Sequence, residues 1–206
     1  MQKNLLTSVL VAAGLLTAVA AHADEGQFMV RARAVSINFD NGQSGGLPLG
    51  GTTKIEADDR WIPEVDVSYF FTPNIAAELV LTYPQRVDIT ATGLGNIGNI
   101  KALPPSLLLQ YHVTQFGAFK PYVGLGLNYT LFGKRNNLLG GAAEVDKSSF
   151  GPAAQIGFDY MFTKNWGLNV DVKYIKMETD VKISGSKVGT INLDPITAGV
   201  GVTYRF

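Results

Sequence analysis

A chain of 206 residues with 17 basic and 17 acidic side chains carries no net charge, which leaves no electrostatic case for nucleic acid or a strongly acidic ligand. Charged residues make up 17% of it, below the roughly one quarter usual in soluble domains, and cysteine is absent, which excludes thiolate chemistry and cysteine-based metal sites. The length suits one domain with a sizeable core or a single closed barrel.

The chain begins with "MQKN", whose Lys3 supplies a positive charge, followed by the apolar run "LLTSVLVAAGLLTAVA". Ala21-His22-Ala23 fits a small-x-small cleavage site, and Asp24 opens a polar stretch. Residues 1–23 therefore read as a secretory signal peptide and 24–206 as the exported domain. A membrane anchor is the other reading, but the run is short against the roughly 20 apolar residues a spanning helix needs. With His22 removed, His112 is the remaining histidine.

After Ala23 the dominant signal is strict alternation, the period of strands. In chain order it appears in 27–39, where Val30, Ala32 and Ala34 oppose Arg31 and Arg33, and in 61–71, where Val65, Val67, Tyr69 and Phe71 oppose Glu64, Asp66 and Ser68. In 74–89, Ile75, Ala77, Leu79, Leu81, Tyr83, Val87 and Ile89 oppose Glu78, Thr82, Arg86 and Asp88. Segments 105–113 and 121–132 set Leu107, Leu109, Tyr111, Leu125 and Tyr129 against Ser106, Gln110, His112, Gly124 and Asn128. Segments 150–162 and 166–174 set Ile156, Phe158, Tyr160, Leu168 and Val170 against Gln155, Asp159, Asn169, Asp171 and Lys173. The last, "LDPITAGVGVTYRF", alternates to Phe206 and makes eight.

A soluble barrel such as a lipocalin would carry charge outside and apolar residues within. Here the polar face is charge-balanced and glycine-rich, while the apolar face is bulky and ends in aromatics: Trp61, Tyr69, Phe71, Tyr83, Tyr111, Tyr129, Phe132, Tyr160, Phe162, Trp166, Tyr174, Tyr204 and Phe206. That pattern fits aromatic girdles at two membrane interfaces, with polar residues toward a lumen. Backbone groups in lipid must be paired, so such a sheet closes. The expected fold is all-β, an eight-stranded antiparallel transmembrane β-barrel in the bacterial outer membrane. Short connections at 72–74, 114–120 and 163–165 alternate with long ones near 40–60, 90–102, 133–149 and 178–193, as at periplasmic and extracellular ends. "FFTPN" and "MFTKN" read as one turn chemistry used twice.

"ALPPSLLLQYHV" resembles the OmpW family of outer-membrane proteins, which includes alkane-uptake barrels, and so do "FKPYVGLGLNYTLF", "GFDYMF" with Trp166, and "LDPITAGVGVTYRF". The likeness covers nearly all of the chain after residue 23 and is weakest in the long loops. It implies an eight-stranded barrel that helps small hydrophobic molecules across the outer membrane by a route leaving sideways into the bilayer.

An eight-stranded interior is just wide enough for side chains to fill. Arg31, Arg33, Glu64, Asp66, Glu78, His112, Asp159, Asp171 and Lys173 all fall on the inward face. They read as a salt-bridged plug, with an ion pathway as the sharper alternative. Proline lacks an N–H and interrupts a ladder. Pro84, Pro104 and Pro105 therefore mark either a lateral gap between the third and fourth strands or merely strand ends. Val80 and Leu108, with Leu47, Leu49, Leu94, Ile97, Leu138 and Leu139 in the long loops, are the candidate apolar path.

The expected partners are outer-membrane lipid and lipopolysaccharide, small hydrophobic ligands and the insertion machinery, which a terminal strand ending in Tyr204 and Phe206 would address; no cofactor, metal or nucleic acid is expected. A structural or adhesion barrel is the competing role. A lipid-modifying enzyme would need a serine–histidine pair, and Ser106 lies six residues from His112 on one strand, about 20 Å away.

Overall fold

The computed structural model describes residues 26–45, 55–133 and 138–206. The expected signal peptide and the expected path residues Leu47 and Leu49 lie outside them. In chain order the strands are β1 (Phe28–Phe39), β2 (Gly42–Gly45), β3 (Ile55–Ala57), β4 (Arg60–Phe70) and β5 (Ile75–Leu81). Next come β6 (Gln85–Ala91), β7 (Gly95–Leu103), β8 (Ser106–His112), β9 (Phe119–Gly133) and β10 (Ala143–Val145). β11 (Ser148–Met161), β12 (Trp166–Ile175), β13 (Glu178–Ile183), β14 (Ser186–Asn192) and β15 (Pro195–Arg205) complete the series.

Eight of these strands close a barrel in the order β1, β4, β5, β8, β9, β11, β12, β15, each antiparallel to its neighbours. The last strand pairs with the first from Met29↔Arg205 to Phe39↔Pro195, so the sheet leaves no free edge along this seam. Gly201 permits that approach: a Cβ there would stand 2.1 Å from the Ala32 carbonyl oxygen. Outward alternate positions hold Leu107, Leu109, Leu125, Ile156, Leu168 and Val200, all exposed. In water that surface would forfeit roughly 25 cal/mol per Å²; in lipid it is at home. Phe71, Tyr111, Tyr160, Phe162 and Trp166 ring the short-turn end, and Trp61, Tyr83, Tyr129, Phe150 and Tyr174 ring the other.

The two short turns do share one chemistry. Thr72 Oγ1 accepts from the Ile75 N–H (3.0 Å), and Thr163 Oγ1 accepts from that of Trp166 (2.8 Å). Asn74 Nδ2 then donates to the His112 carbonyl (2.7 Å), and Asn165 Nδ2 to that of Arg205 (2.7 Å). Each turn thus staples the end of the neighbouring strand as well as its own.

Three expectations need correction. The segment 74–89 is not one strand: β5 stops at Leu81, and β6 restarts at Gln85 in the opposite phase. Val87 and Ile89 are consequently buried inside rather than facing lipid. The three residues 82–84 shift the alternation by one position, which exchanges the faces. Second, the glycine-rich stretches read as loops carry strands. β6 and β7 form a hairpin, joined to β3 on one side and to β9 on the other, and β10, β13, β14 and β2 form a separate four-stranded sheet. Third, Phe132 belongs to no girdle; it is buried among Val87, Ile100, Leu138 and Val145 in the apolar core of this extracellular part.

Candidate functional site

The inward alternate positions of five barrel strands meet in one ion-paired layer. Arg31 is fully buried, donating Nε and Nη2 to Asp159 (3.0 and 2.8 Å) and Nη1 to Asp66, Glu78 and Ser68 (each 3.1 Å). Arg33 Nη2 lies 3.0 Å from Glu64 and 2.6 Å from Asp66, while Nη1 donates to Asn169 (3.1 Å). Lys173 lies 3.4 Å from Glu64 and 3.8 Å from Asp171. Such a layer is tolerable because every ion in it has an opposite charge beside it; one left alone there would cost several kcal/mol.

Neutral groups complete it. Tyr122 donates its hydroxyl to Asp171 (3.0 Å) and accepts from Asn169 Nδ2 (3.0 Å), with the Arg31 guanidinium 5.0 Å from its ring centre. Gly157 makes room for that ring, since a Cβ there would stand 2.6 Å from Tyr122 Cζ. Thr203 donates to Asp159 (2.6 Å). Toward the short-turn end, His112 sits between the rings of Phe70 and Tyr122, 4.9 Å from each, and bonds Gln110 (2.9 Å) rather than any ion. Ser106 contacts Asn128 (3.0 Å), so the serine and the histidine of β8 are engaged separately.

On the extracellular side of this layer lies an apolar slot with a cavity of about 40 Å³. Val35, Ile37, Ile62, Val80, Val87, Ile175, Met177 and Leu193 wall it, and Glu64 and Lys173 form its floor. The wall beside it is incompletely laddered. Pairing of β5 with β8 ends at Val80↔Ser106, and pairing of β6 with β7 begins at Gln85↔Ala102. Between them, residues 81–84 face 103–105 without ladder partners across that seam. On the other flank β4 and β5 part at Val65↔Leu81, leaving the start of β4 paired with β1 alone. Thr82 Oγ1 is buried there with no hydrogen-bond partner among the described residues. Pro104 lines the slot, Pro84 lies in the 82–84 link, and the Pro105 carbonyl is tied to β9 by Tyr129 N (3.1 Å) and Asn128 Nδ2 (3.0 Å).

The nine charged or histidine positions singled out from the sequence are all interior. Of the apolar path, Val80, Leu108 and Leu138 share one buried cluster, with Ile97 and Leu139 packed at its margin. Leu94 stands apart, 59% exposed at the tip of the β6–β7 turn. Sequence reasoning missed Tyr122 and Ile62, although alternation through Gly124 and Glu64 already placed both inward. It also missed Met177 and Leu193, which lie in stretches read as loop. In the links that lead into and out of the β13–β14 hairpin, Lys176 donates to Asp194 (2.7 Å), which raises its ammonium above the ordinary range; within the hairpin, hydrogen bonds from Lys187 and Thr190 lower the Asp180 carboxyl.

Comparison with known proteins places this geometry among relatives. The sequence pattern of the OmpW family matches residues 24–206. The uncharacterized outer-membrane protein y4mB of Sinorhizobium fredii is 45% identical over 195 residues, spanning 91% of this chain and 82% of that protein. Outer membrane protein W of Escherichia coli K12 is 30% identical over 218 residues, spanning 99% of this chain and all of the other. The crystal structure of OprG from Pseudomonas aeruginosa superposes with a TM-score of 0.77 at 28% identity, covering 88% of this chain and 96% of that one.

Proposed function

We propose, for a chain that belongs to the OmpW family and is an integral barrel of the bacterial outer membrane, that it assists passive entry of small hydrophobic molecules. They enter the apolar extracellular chamber, stop at the ion-paired layer, and leave sideways into the bilayer between β5 and β8. The observation that carries this reading is the coincidence of an apolar slot with the lapse in pairing at 81–84 and 103–105, directly above an ion-paired lumen. Val80, Leu108, Ile97, Leu138 and Leu139 supply the apolar path, and Leu94 would extend it at the entrance. Pro84 and Pro104 keep the seam open, because neither offers an N–H to bridge it.

A 40 Å³ cavity is smaller than the ligand this role requires, so the 82–84 link must give way as a molecule passes. Affinity from apolar contact alone, roughly 25 cal/mol per Å², discriminates little between hydrophobic solutes. The paired charges act as a floor that turns the route aside rather than as an ion pathway: the Arg31 guanidinium is committed to three carboxylates at once.

Cells carrying the protein should accumulate a hydrophobic tracer faster than cells lacking it, with no change for a hydrophilic solute of equal size. Equal hydrophobic uptake with the barrel folded at the surface would leave the structural or adhesion role, for which the four-stranded sheet offers a presented surface.

The same strand that closes the barrel would carry the address for the insertion machinery. Trp166, Tyr204 and Phe206 stack edge to face at 4.8 and 4.9 Å, and the Phe206 N–H donates to the Phe28 carbonyl (2.9 Å). Phe206→Ala keeps that backbone bond and removes the ring. It should slow appearance of the folded form in cells while leaving refolding into lipid vesicles unchanged. Normal surface assembly of the variant refutes the address; slowed vesicle refolding makes the ring a packing element instead.

A further inference from the structure

The lumen and the periplasmic mouth differ in how they treat positive charge. Arg31, Arg33 and Lys173 each have carboxylate partners. Lys120, Lys164 and Arg205 have none among the described residues, yet all three line one recess at the short-turn end. Its cavity is about 360 Å³, within the range of small-molecule sites, and it shares no lining residue with the extracellular slot.

Its walls are mixed. Met29, Phe70 and Met161 give it apolar surface, and His112 closes the inner end. The single carboxylate there, Asp159, is occupied by Arg31, Asn169 and Thr203 and so offsets little of the positive charge. Arg205 is held in place: its guanidinium lies 4.1 Å from the Phe70 ring centre, and Nε donates to the Gly26 carbonyl (2.7 Å). That leaves the two terminal nitrogens as a fork, the geometry that meets an oxyanion with two parallel hydrogen bonds. Lys120 Nζ donates one proton to the Thr114 carbonyl (3.0 Å) and keeps two.

We infer that this recess is a binding site, reached from the periplasm, for a small organic anion carrying a carboxylate on an apolar body. Three cations without carboxylate partners among the described residues select the sign; the ring of Phe70 and the two methionines select a body that a bare inorganic ion lacks. Its contact with lumen groups is confined to the Asp159 and His112 end, so occupancy neither requires nor opens a passage through the ion-paired layer.

The test uses the full barrel in nanodiscs of zwitterionic lipid, titrated with benzoate, benzyl alcohol and inorganic phosphate while backbone amides are followed by NMR. Benzoate should give saturable shifts at Gly117, Ala118 and Thr163, tighter than either other probe, with Val87 and Met177 unmoved. Lys120→Gln with Lys164→Gln, neither of them part of the ion-paired layer, should weaken benzoate roughly tenfold, the scale of a lost charge-assisted contact. Benzyl alcohol binding as tightly as benzoate, an unchanged double variant, or shifts confined to Val87 and Met177 would each overturn the site.

Discussion

Arg31→Met should lower the barrel's resistance to urea in lipid vesicles by about 3–5 kcal/mol, the range for breaking a buried pair by removing one partner. Five hydrogen bonds end on this guanidinium, and its loss strands Asp159 and leaves Asp66 and Glu78 to Arg33 alone, at positions with no solvent exposure. The layer already holds five carboxylates against three cations, Arg31, Arg33 and Lys173, so no spare cation can take over. Arg31→Lys should recover only part, because an ammonium cannot span Asp159 bidentately while reaching Asp66 and Glu78. Adding Asp159→Asn to Arg31→Met should restore more than an independent sum allows, the mark of a shared network. Unfolding of Arg31→Met at the wild-type midpoint would mean the layer does not hold the barrel together.

Replacing Pro104 with Val and Pro105 with Thr should drop hydrophobic uptake to the rate of cells lacking the protein, with the folded form still present at the surface. The replacement at 104 supplies an N–H on the β5 side, where Thr82, whose hydroxyl has no partner among the described residues, lines the same slot. The Pro105 carbonyl is tied to β9 and an N–H on that residue would point the same way, so the donor gained on the β5 side is that of residue 104. Unchanged uptake in a folded variant removes the lateral route and leaves the prolines as strand ends.

Much of this architecture was legible because lipid imposes alternation. A strand between bilayer and lumen must change polarity at every residue, so Arg31 and Arg33 could be placed inward from Ala32 and Ala34 alone. The same rule fails where the chain leaves the membrane. Beyond Leu81 both faces meet protein or water, and nothing local marks the one-residue change of phase that turns Val87 and Ile89 inside. The extracellular strands, such as "SKVGTIN" in β14, are short and polar because a hairpin in water can expose one edge; that composition also describes a loop. Phe132 misled for a related reason. An aromatic ending a membrane strand and an aromatic beginning an extracellular core look alike in sequence. Pro84, Pro104 and Pro105 stood out in the sequence, as a lateral gap or as strand ends, because a missing donor is a property of the residue rather than its surroundings.

The first strand supplies both guanidiniums of the lumen, and they reach hydrogen-bond partners up to 136 positions away along the chain. A ribbon of the first three barrel strands already brings Glu64, Asp66 and Glu78 to Arg31 and Arg33, but Asp159, Asn169 and Asp171 arrive only with β11 and β12. Early pairing leaves each guanidinium part-satisfied, and the ring whose last strand has met its first supplies the rest. Closure thus completes a neutralisation that the first strands begin, and the lumen favours its own finished wall.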